Sequence, residues 1–323
     1  MLVAQLGSPA GPNPRALRRY LKEFLSDRDV IDYPARVWQP ILRVFILPLR
    51  SPRSARLYRG IWMPEGSPLV VHSRRLAAAL QERLGPGFRV ALGMRYGEPG
   101  LERAVRSLAA DGVRDLIVAP MFPQFSFSTT GSIRSAVDRA LASLEGLRLE
   151  RRFVEPFFDA TVYIDALAAG LRLHLASLPL PPEHCLVSFH GLPLRYLRRG
   201  DPYQTQCQVT ARMLADRMGW QPQQWSLSYQ SRFGPEAWLA PSTQTRIKDL
   251  ARQGVKRLVL VAPSFVADCL ETLSELGLEG REDFVQAGGD PAGYSLAPSL
   301  NDSPAWAEAL ASLVVDASRG WTV

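Results

Sequence analysis

Two stretches hold side chains able to do metal chemistry: Val187-Ser188-Phe189-His190-Gly191-Leu192-Pro193, and Ala262-Pro263-Ser264-Phe265-Val266-Ala267-Asp268-Cys269-Leu270-Glu271-Thr272-Leu273. Each starts as an apolar β-type run, breaks at Gly or Pro where a strand hands over to a helix, and then presents a ligand, His190 or Glu271. Neutral imidazole and carboxylate together suit divalent first-row metals such as iron(II), cobalt(II) or zinc(II). Two protein ligands fall short of the closed four-ligand cages that hold structural zinc. That weakness suits a protein that receives a metal and gives it away. Glu275 follows Glu271 at i+4 and Asp268 precedes it by one turn, an acidic stripe whose like charges cost about 0.2–0.5 kcal/mol per pair. Glu279 lies in phase but beyond Gly277, a candidate helix stop, and is left out. A lone histidine after a strand is more often a hydrogen-bonded loop residue, and an acidic stripe is more often a solvated face. Their shared placement at strand ends, where α/β sheets collect ligands, carries the metal reading. Of the other histidines, His72 and His174 fall in helical surroundings and His184 in a Pro-rich loop, all read as structural or solvent-exposed.

The elements that must position these groups recur along the chain. Gln5-Leu6-Gly7-Ser8-Pro9 is echoed by Phe189-His190-Gly191-Leu192-Pro193, and Arg95-Tyr96-Gly97 by Arg232-Phe233-Gly234. Leu108-Ala109-Ala110-Asp111-Gly112-Val113 is echoed by Leu250-Ala251-Arg252-Gln253-Gly254-Val255. These last two lead into the buried-strand runs Leu116–Pro120 and Leu258–Pro263. Apolar β-branched runs alternate with helical periodicity, as over residues 101–108, which implies right-handed βαβ crossovers and a parallel sheet in each half. The fold class is α/β, with one lobe over residues 1–153 and a second over 154–323 that carries both ligands. A final helix near 304–318 packs on either lobe.

Composition narrows the classes. The 323 residues suffice for two lobes, and 46% hydrophobic with 21% charged residues is ordinary for a protein with a full core. The longest apolar stretch, residues 41–49, is cut by Arg43 and Pro48, so no membrane span is expected. The N-terminus enters a strand-like run at once, without the regions of a secretory signal. The net charge of +7 is spread through helical segments with no basic block, which argues against a nucleic-acid partner and is compatible with an anionic substrate or membrane surface. Cys185, Cys207 and Cys269 lack CxxC spacing and read as reduced cytoplasmic thiols, too few for an all-cysteine iron–sulfur cluster. No GxGxxG or GxxxxGKS/T stretch marks a nucleotide site.

As a set, the motifs resemble the ferrochelatase family. They are Ser188-Phe189-His190-Gly191-Leu192-Pro193, Gly200-Asp201-Pro202-Tyr203, Tyr229-Gln230-Ser231-Arg232-Phe233-Gly234 with Trp238-Leu239, and Asp268-Cys269-Leu270-Glu271-Thr272-Leu273. The first half adds Leu6-Gly7-Ser8-Pro9, Glu65-Gly66-Ser67-Pro68-Leu69, Met94-Arg95-Tyr96-Gly97 and the run Pro123 to Ser132. The resemblance spans about residues 2–300. It implies two Rossmann-like lobes of class II chelatase type around a porphyrin cleft, and insertion of Fe(II) into protoporphyrin IX to give haem. It implies that His190 and Glu271 are the catalytic, metal-binding pair, and the acidic stripe of Asp268 and Glu275 beside them is read as a path for iron or outgoing protons. Ser67 and Arg95 match porphyrin-pocket positions. The loop holding Ser126, Ser128 and Thr130 matches a pocket-side segment whose hydroxyls and helix N-terminal amides suit a propionate. Residues 20–60, with Trp38 and Phe45, match an apolar lip that suits peripheral contact with the inner face of a membrane. Fe(II) enters as substrate, no tightly bound cofactor is expected, and a monomer in the cytoplasm is favoured.

Some positions depart from the family pattern. Phe122 and Phe125 stand where tyrosine is frequent, Ser264 where glycine is, and Gln5 where asparagine is. None touches the metal pair. The residues leave open whether His190 acts as metal ligand, pyrrole base or both, and whether the porphyrin carries two propionates or four. A cobalt or nickel chelatase and a non-catalytic haem or porphyrin carrier are the alternative readings.

Overall fold

In the computed structural model, which describes residues 1–31, 33–144, 149–232, 234 and 236–321, contacts divide the chain into two units. The first comprises residues 1–122, 126–155 and the chain from Leu310 onward; the second comprises 123–125 and 156–309.

The first unit is built on strands β1 (Leu2–Ser8), β2 (Ala91–Gly97), β3 (Asp115–Pro120) and β4 (Glu150–Phe153), all parallel, in the order β2-β1-β3-β4. Parallel strands covered on both faces read as unbroken apolar runs, which is why β1 and β3 are legible as Leu2-Val3-Ala4 and Leu116-Ile117-Val118. Helices α1 (Pro14–Ser26), α2 (Ala35–Ile41), α3 (Leu47–Ile61), α4 (Pro68–Leu84), α5 (Leu101–Ala110) and α6 (Ser132–Ala142) make the crossovers. Leu101, Val105 and Leu108 of α5 and Ile133 and Val137 of α6 close over Leu2, Leu116 and Val118. The Asn13 side chain accepts from Ala16 N at the start of α1, with Pro14 at the first helical position. Between α2 and α3 the chain stays helical through a π-turn, Leu42–Ile46. This stretch is held on α1 by Leu42 and Leu47 against Tyr20, Leu21 and Leu25, and by Trp38 Nε1 donating to Leu25 O at 2.6 Å. Val44, Phe45 and Leu49 are left exposed.

The second unit repeats the plan. Strands β5 (His184–His190), β6 (Trp225–Gln230), β7 (Leu258–Val261) and β8 (Tyr294–Leu296) are parallel in the order β6-β5-β7-β8. Helices α7 (Thr161–Ser177), α8 (Leu194–Arg198), α9 (Tyr203–Met218), α10 (Thr243–Arg252) and α11 (Gly280–Gln286) complete it, and α12 (Pro304–Ser318) starts in this unit and belongs to the first from Leu310. Phe284, Ile247 and Leu250 pack on Leu258 and Leu260, and Trp306 of α12 packs on Phe157 and Tyr163. The repeat seen in the letters is therefore a repeat of topology, and it extends to a shared detail. After β3 and again after β7 the chain enters a π-helical segment, Phe127–Gly131 and Glu271–Glu279, that feeds α6 and α11. One landmark does not transfer. Arg95-Tyr96-Gly97 lies inside β2, whereas Arg232 lies past the end of β6 and Phe233 falls outside the described residues.

Two local expectations are corrected. His184 is not in a loop: it opens β5, is 6% exposed, and its Nε2 lies 2.8 Å from Ser226 Oγ. Gly277 does not stop the helix, because the π-segment runs through it to Glu279 and on into α11. A Cβ there would lie in ordinary van der Waals contact with Thr272 O at 3.4 Å and Leu296 Cδ2 at 3.5 Å.

Candidate metal-insertion site

His190 is the last residue of β5. Its Nδ1 lies 2.6 Å from Gly191 O. A carbonyl can only accept, so the proton sits on Nδ1 and the lone pair is at Nε2, the arrangement of a metal-binding imidazole tied to backbone. Gly191 sets the local path. Its N–H donates to Gln230 O at 2.7 Å, and a Cβ there would meet that same oxygen at 2.6 Å and Trp238 Cε3 at 3.1 Å. The imidazole lies beside Phe265 of the loop after β7, ring centres 6.3 Å apart.

Glu271 reaches the same corner through Gln230. In the ladder His190 is paired with Gln230, and the Gln230 side chain donates from Nε2 to Glu271 O at 3.1 Å. That bond takes up a carbonyl at the first residue of the π-segment. Five residues on, Tyr294 Oη donates to Leu276 O at 2.5 Å, and the Gly280 N–H closes back onto Glu275 O, an i→i+5 bond. Side-chain donors to backbone carbonyls widen the helix, and such π-segments recur at functional sites. A Cβ on Gly280 would lie 2.2 Å from Tyr294 Oη, which explains glycine at that turn. Glu271 and Glu275 are both half-buried. The Glu275 carboxylate accepts from Ser231 Oγ, and Ser231 holds a left-handed φ of 64°, rare for a residue with a Cβ.

Asp268 is buried, and its carboxylate is engaged by Asn301 Nδ2 at 2.7 Å, Thr272 Oγ1 at 3.1 Å and Ser299 N at 3.3 Å. It fixes the start of the π-segment. Cys269 is also buried; burial first, and then the Glu271 carboxylate beside it, push its thiol well up, so it stays protonated. Among the described residues no three His, Cys, Asp or Glu side chains converge to hold a metal.

The remaining candidates cluster in the first unit. The Arg95 guanidinium is ion-paired with Asp27 at the end of α1 and donates from Nε to Ser132 Oγ at 2.8 Å. Tyr96 Oη also donates to that carboxylate, at 2.7 Å, and burial pushes its phenol upward. Ser67, at the N-terminus of α4, accepts from Ser8 Oγ at 2.6 Å. Ser126 caps the turn that follows it, its Oγ 3.1 Å from Ser128 Oγ, while Thr130 Oγ1 is buried with no hydrogen-bond partner among the described residues.

A family model described as ferrochelatase matches residues 1–318. The chain belongs to the ferrochelatase family. Ferrochelatases of Escherichia coli (strain SE11) and Enterobacter sp. (strain 638) are 45% and 44% identical to it over 317 residues, 97% of each chain. Two solved structures share the fold. SirB from Bacillus subtilis with Fe3+ has a TM-score of 0.55 at 12% identity, covering 79% of this chain and 92% of its own. CbiX, described as the terminal enzyme for biosynthesis of sirohaem in denitrifying bacteria, has a TM-score of 0.50 at 16% identity over 98% of both chains. At such identities these show architecture alone, that of the two-lobed class II chelatases. Membership of the ferrochelatase family makes the chain an enzyme, a metal chelatase, and sets aside the carrier reading.

Sequence reasoning assigned no role to Gln230, Ser231 or Asp27. The Gln230-Ser231 pair sat inside a quoted motif, but nothing in the letters says that one residue would hold Glu271 O and the other would turn left-handed toward Glu275. Asp27 lies 68 residues from Arg95, and a single acidic residue after a helix carries no signal of its distant partner.

Proposed function

We propose that His190 and Glu271 carry the insertion of Fe(II) into protoporphyrin IX to form haem. The observation that supports this reading is the tautomer at His190: with Nδ1–H given to Gly191 O, the Nε2 lone pair is the acceptor the reaction needs. Insertion exchanges two pyrrole N–H protons for one divalent ion. Nε2 accepts a pyrrole proton or holds the ion, Glu271 supplies an oxygen ligand, and Glu275 continues the acidic path for arriving iron or departing protons. Asp268 belongs to this path as its anchor, since its carboxylate is taken by Asn301 and Thr272. A two-ligand site releases its ion readily, which transfer into a macrocycle requires.

In the first unit, Arg95, Ser67 and the Ser126–Thr130 loop are proposed contacts for the porphyrin, with Arg95 and the loop facing its carboxylates. The lip is proposed to rest on an anionic membrane surface at the cytoplasmic face. Residues 33–61 contain Arg36, Arg43, Arg50, Arg53, Arg56 and Arg59 with no acidic residue, beside the exposed Val44, Phe45 and Leu49. Among the described residues no helix is long and apolar enough to cross a membrane. The deciding assay is anaerobic, with Fe(II), protoporphyrin and coproporphyrin compared side by side, and cobalt and nickel run in parallel. Wild-type protein is expected to form protohaem and His190→Ala none; near-normal turnover by that variant removes the central role of His190.

A further inference from the structure

We propose that Gln230 is a positioning residue for iron delivery, holding Glu271 through a one-way chain of buried hydroxyls; this rests on Glu271 being a metal ligand. Ser188 Oγ donates to Gln230 Oε1 at 3.1 Å, which uses its only proton. The contact of 2.8 Å between Ser188 Oγ and Thr243 Oγ1 must then be donated by Thr243, and the 2.9 Å contact between Thr243 and Ser228 by Ser228. With the amide NH2 on Glu271 O, the donors run from Ser228 through Thr243 and Ser188 to the Gln230 carbonyl oxygen. All four residues are buried, at 0%, 1%, 0% and 5% exposure, so water does not offer the amide an alternative.

With its oxygen toward Ser188, the amide presents its NH2 group outward, and that group reaches Glu271 O. The opposite amide orientation would set oxygen against oxygen at Glu271 O, so that carbonyl selects the orientation, and the hydroxyl chain, which can donate or accept, follows it. Gln230 also receives the Gly191 N–H on its backbone oxygen and is the ladder partner of His190. One residue therefore fixes the backbone beside the imidazole and the backbone that carries the carboxylate. The polar chain runs from the interior of the sheet to the π-segment, and its task is to place Glu271, with no contact to substrate of its own. Residues that orient a metal ligand without touching the metal typically alter metal affinity by about ten- to a hundredfold.

The test uses the full chain without porphyrin, titrated with Co(II) and followed by visible absorption, and separately with protoporphyrin followed by fluorescence. Gln230→Leu is expected to weaken Co(II) binding about tenfold and to leave porphyrin affinity within about twofold. Ser188→Ala, which removes the hydroxyl that anchors the amide oxygen, is expected to weaken Co(II) binding about threefold, and the double variant to bind no more weakly than Gln230→Leu alone. Unchanged Co(II) affinity in Gln230→Leu, an equal loss of porphyrin affinity, or fully additive effects would overturn the proposal. Should Gln230→Leu not fold, Ser188→Ala decides: unchanged Co(II) affinity there overturns it. Glu271→Ala separates the two layers. Wild-type Co(II) affinity in Glu271→Ala sinks the metal-site reading, whereas loss in Glu271→Ala with none in Gln230→Leu sinks only this inference.

Discussion

Ser231 allows strain and function to be separated in one position. Its φ of 64° places a residue with a Cβ in the left-handed region, and its hydroxyl donates to the Glu275 carboxylate. Such a conformation costs about 1 kcal/mol, and a hydrogen bond to a charged group contributes about 1.5 kcal/mol. Ser231→Ala keeps the strain and loses the bond, so stability should fall by about 1.5 kcal/mol. Ser231→Gly loses the same bond but relaxes the backbone, and should exceed the alanine variant by about 1 kcal/mol, ending near wild type. Both variants remove the Ser231 hydrogen bond to Glu275, so both should raise the apparent KM for Fe(II) by about tenfold, with porphyrin KM unchanged. Chemical denaturation midpoints and anaerobic kinetics on the two variants measure both arms. Equal stability of the glycine and alanine variants would refute the strain argument. An unaltered iron KM in both would refute the place of Glu275 on the acidic path.

Other perturbations test the surrounding frame. Gly191→Ala puts a methyl group 2.6 Å from Gln230 O, and denaturation should show a loss of about 1–3 kcal/mol; wild-type stability would mean that β5 and β6 are not locked there. Asp27→Ala leaves the Arg95 side chain, 13% exposed, without its counter-ion and should cost about 3 kcal/mol, much of it regained in the double variant Asp27→Ala/Arg95→Met. Equal losses in the single and double variants would show that the pair is not coupled. His184 is lowered from its ordinary 6.5 to about 4, by burial first and then by Arg246. A folded pKa below the unfolded one means that the stabilisation is complete above 6.5 and is lost as pH falls toward 4. Replacing His184 by Gln should flatten the denaturation midpoint across that window relative to wild type; an unchanged pH dependence would contradict the assignment.

The sheets were legible because parallel strands buried on both faces must be apolar throughout, as Leu258-Val259-Leu260-Val261 is, and because the duplication set the same strand order twice. The strand-end position of His190 followed from Gly191 breaking its run, whereas Pro263 marked the end of β7 and Glu271 opens the π-segment further along the chain. The π-helical form of the segment after Leu270 was not legible, since its cause lies in Tyr294 and Gln230, distant residues that bond its carbonyls from outside. Nor was the burial of His184, where proline-rich flanks suggested a loop and the ladder with Leu258 prevailed. Asp268 read as one member of an acidic stripe because sequence spacing shows charge but not the Asn301 amide that meets it.

The most direct measurement is a crystal of the protein soaked anaerobically with Co(II), located by anomalous scattering. The account predicts one ion bound by His190 Nε2 and a Glu271 oxygen, each about 2.0–2.2 Å away, with the remaining positions open. An ion held elsewhere, with Nε2 turned from the Glu271 carboxylate, would contradict it.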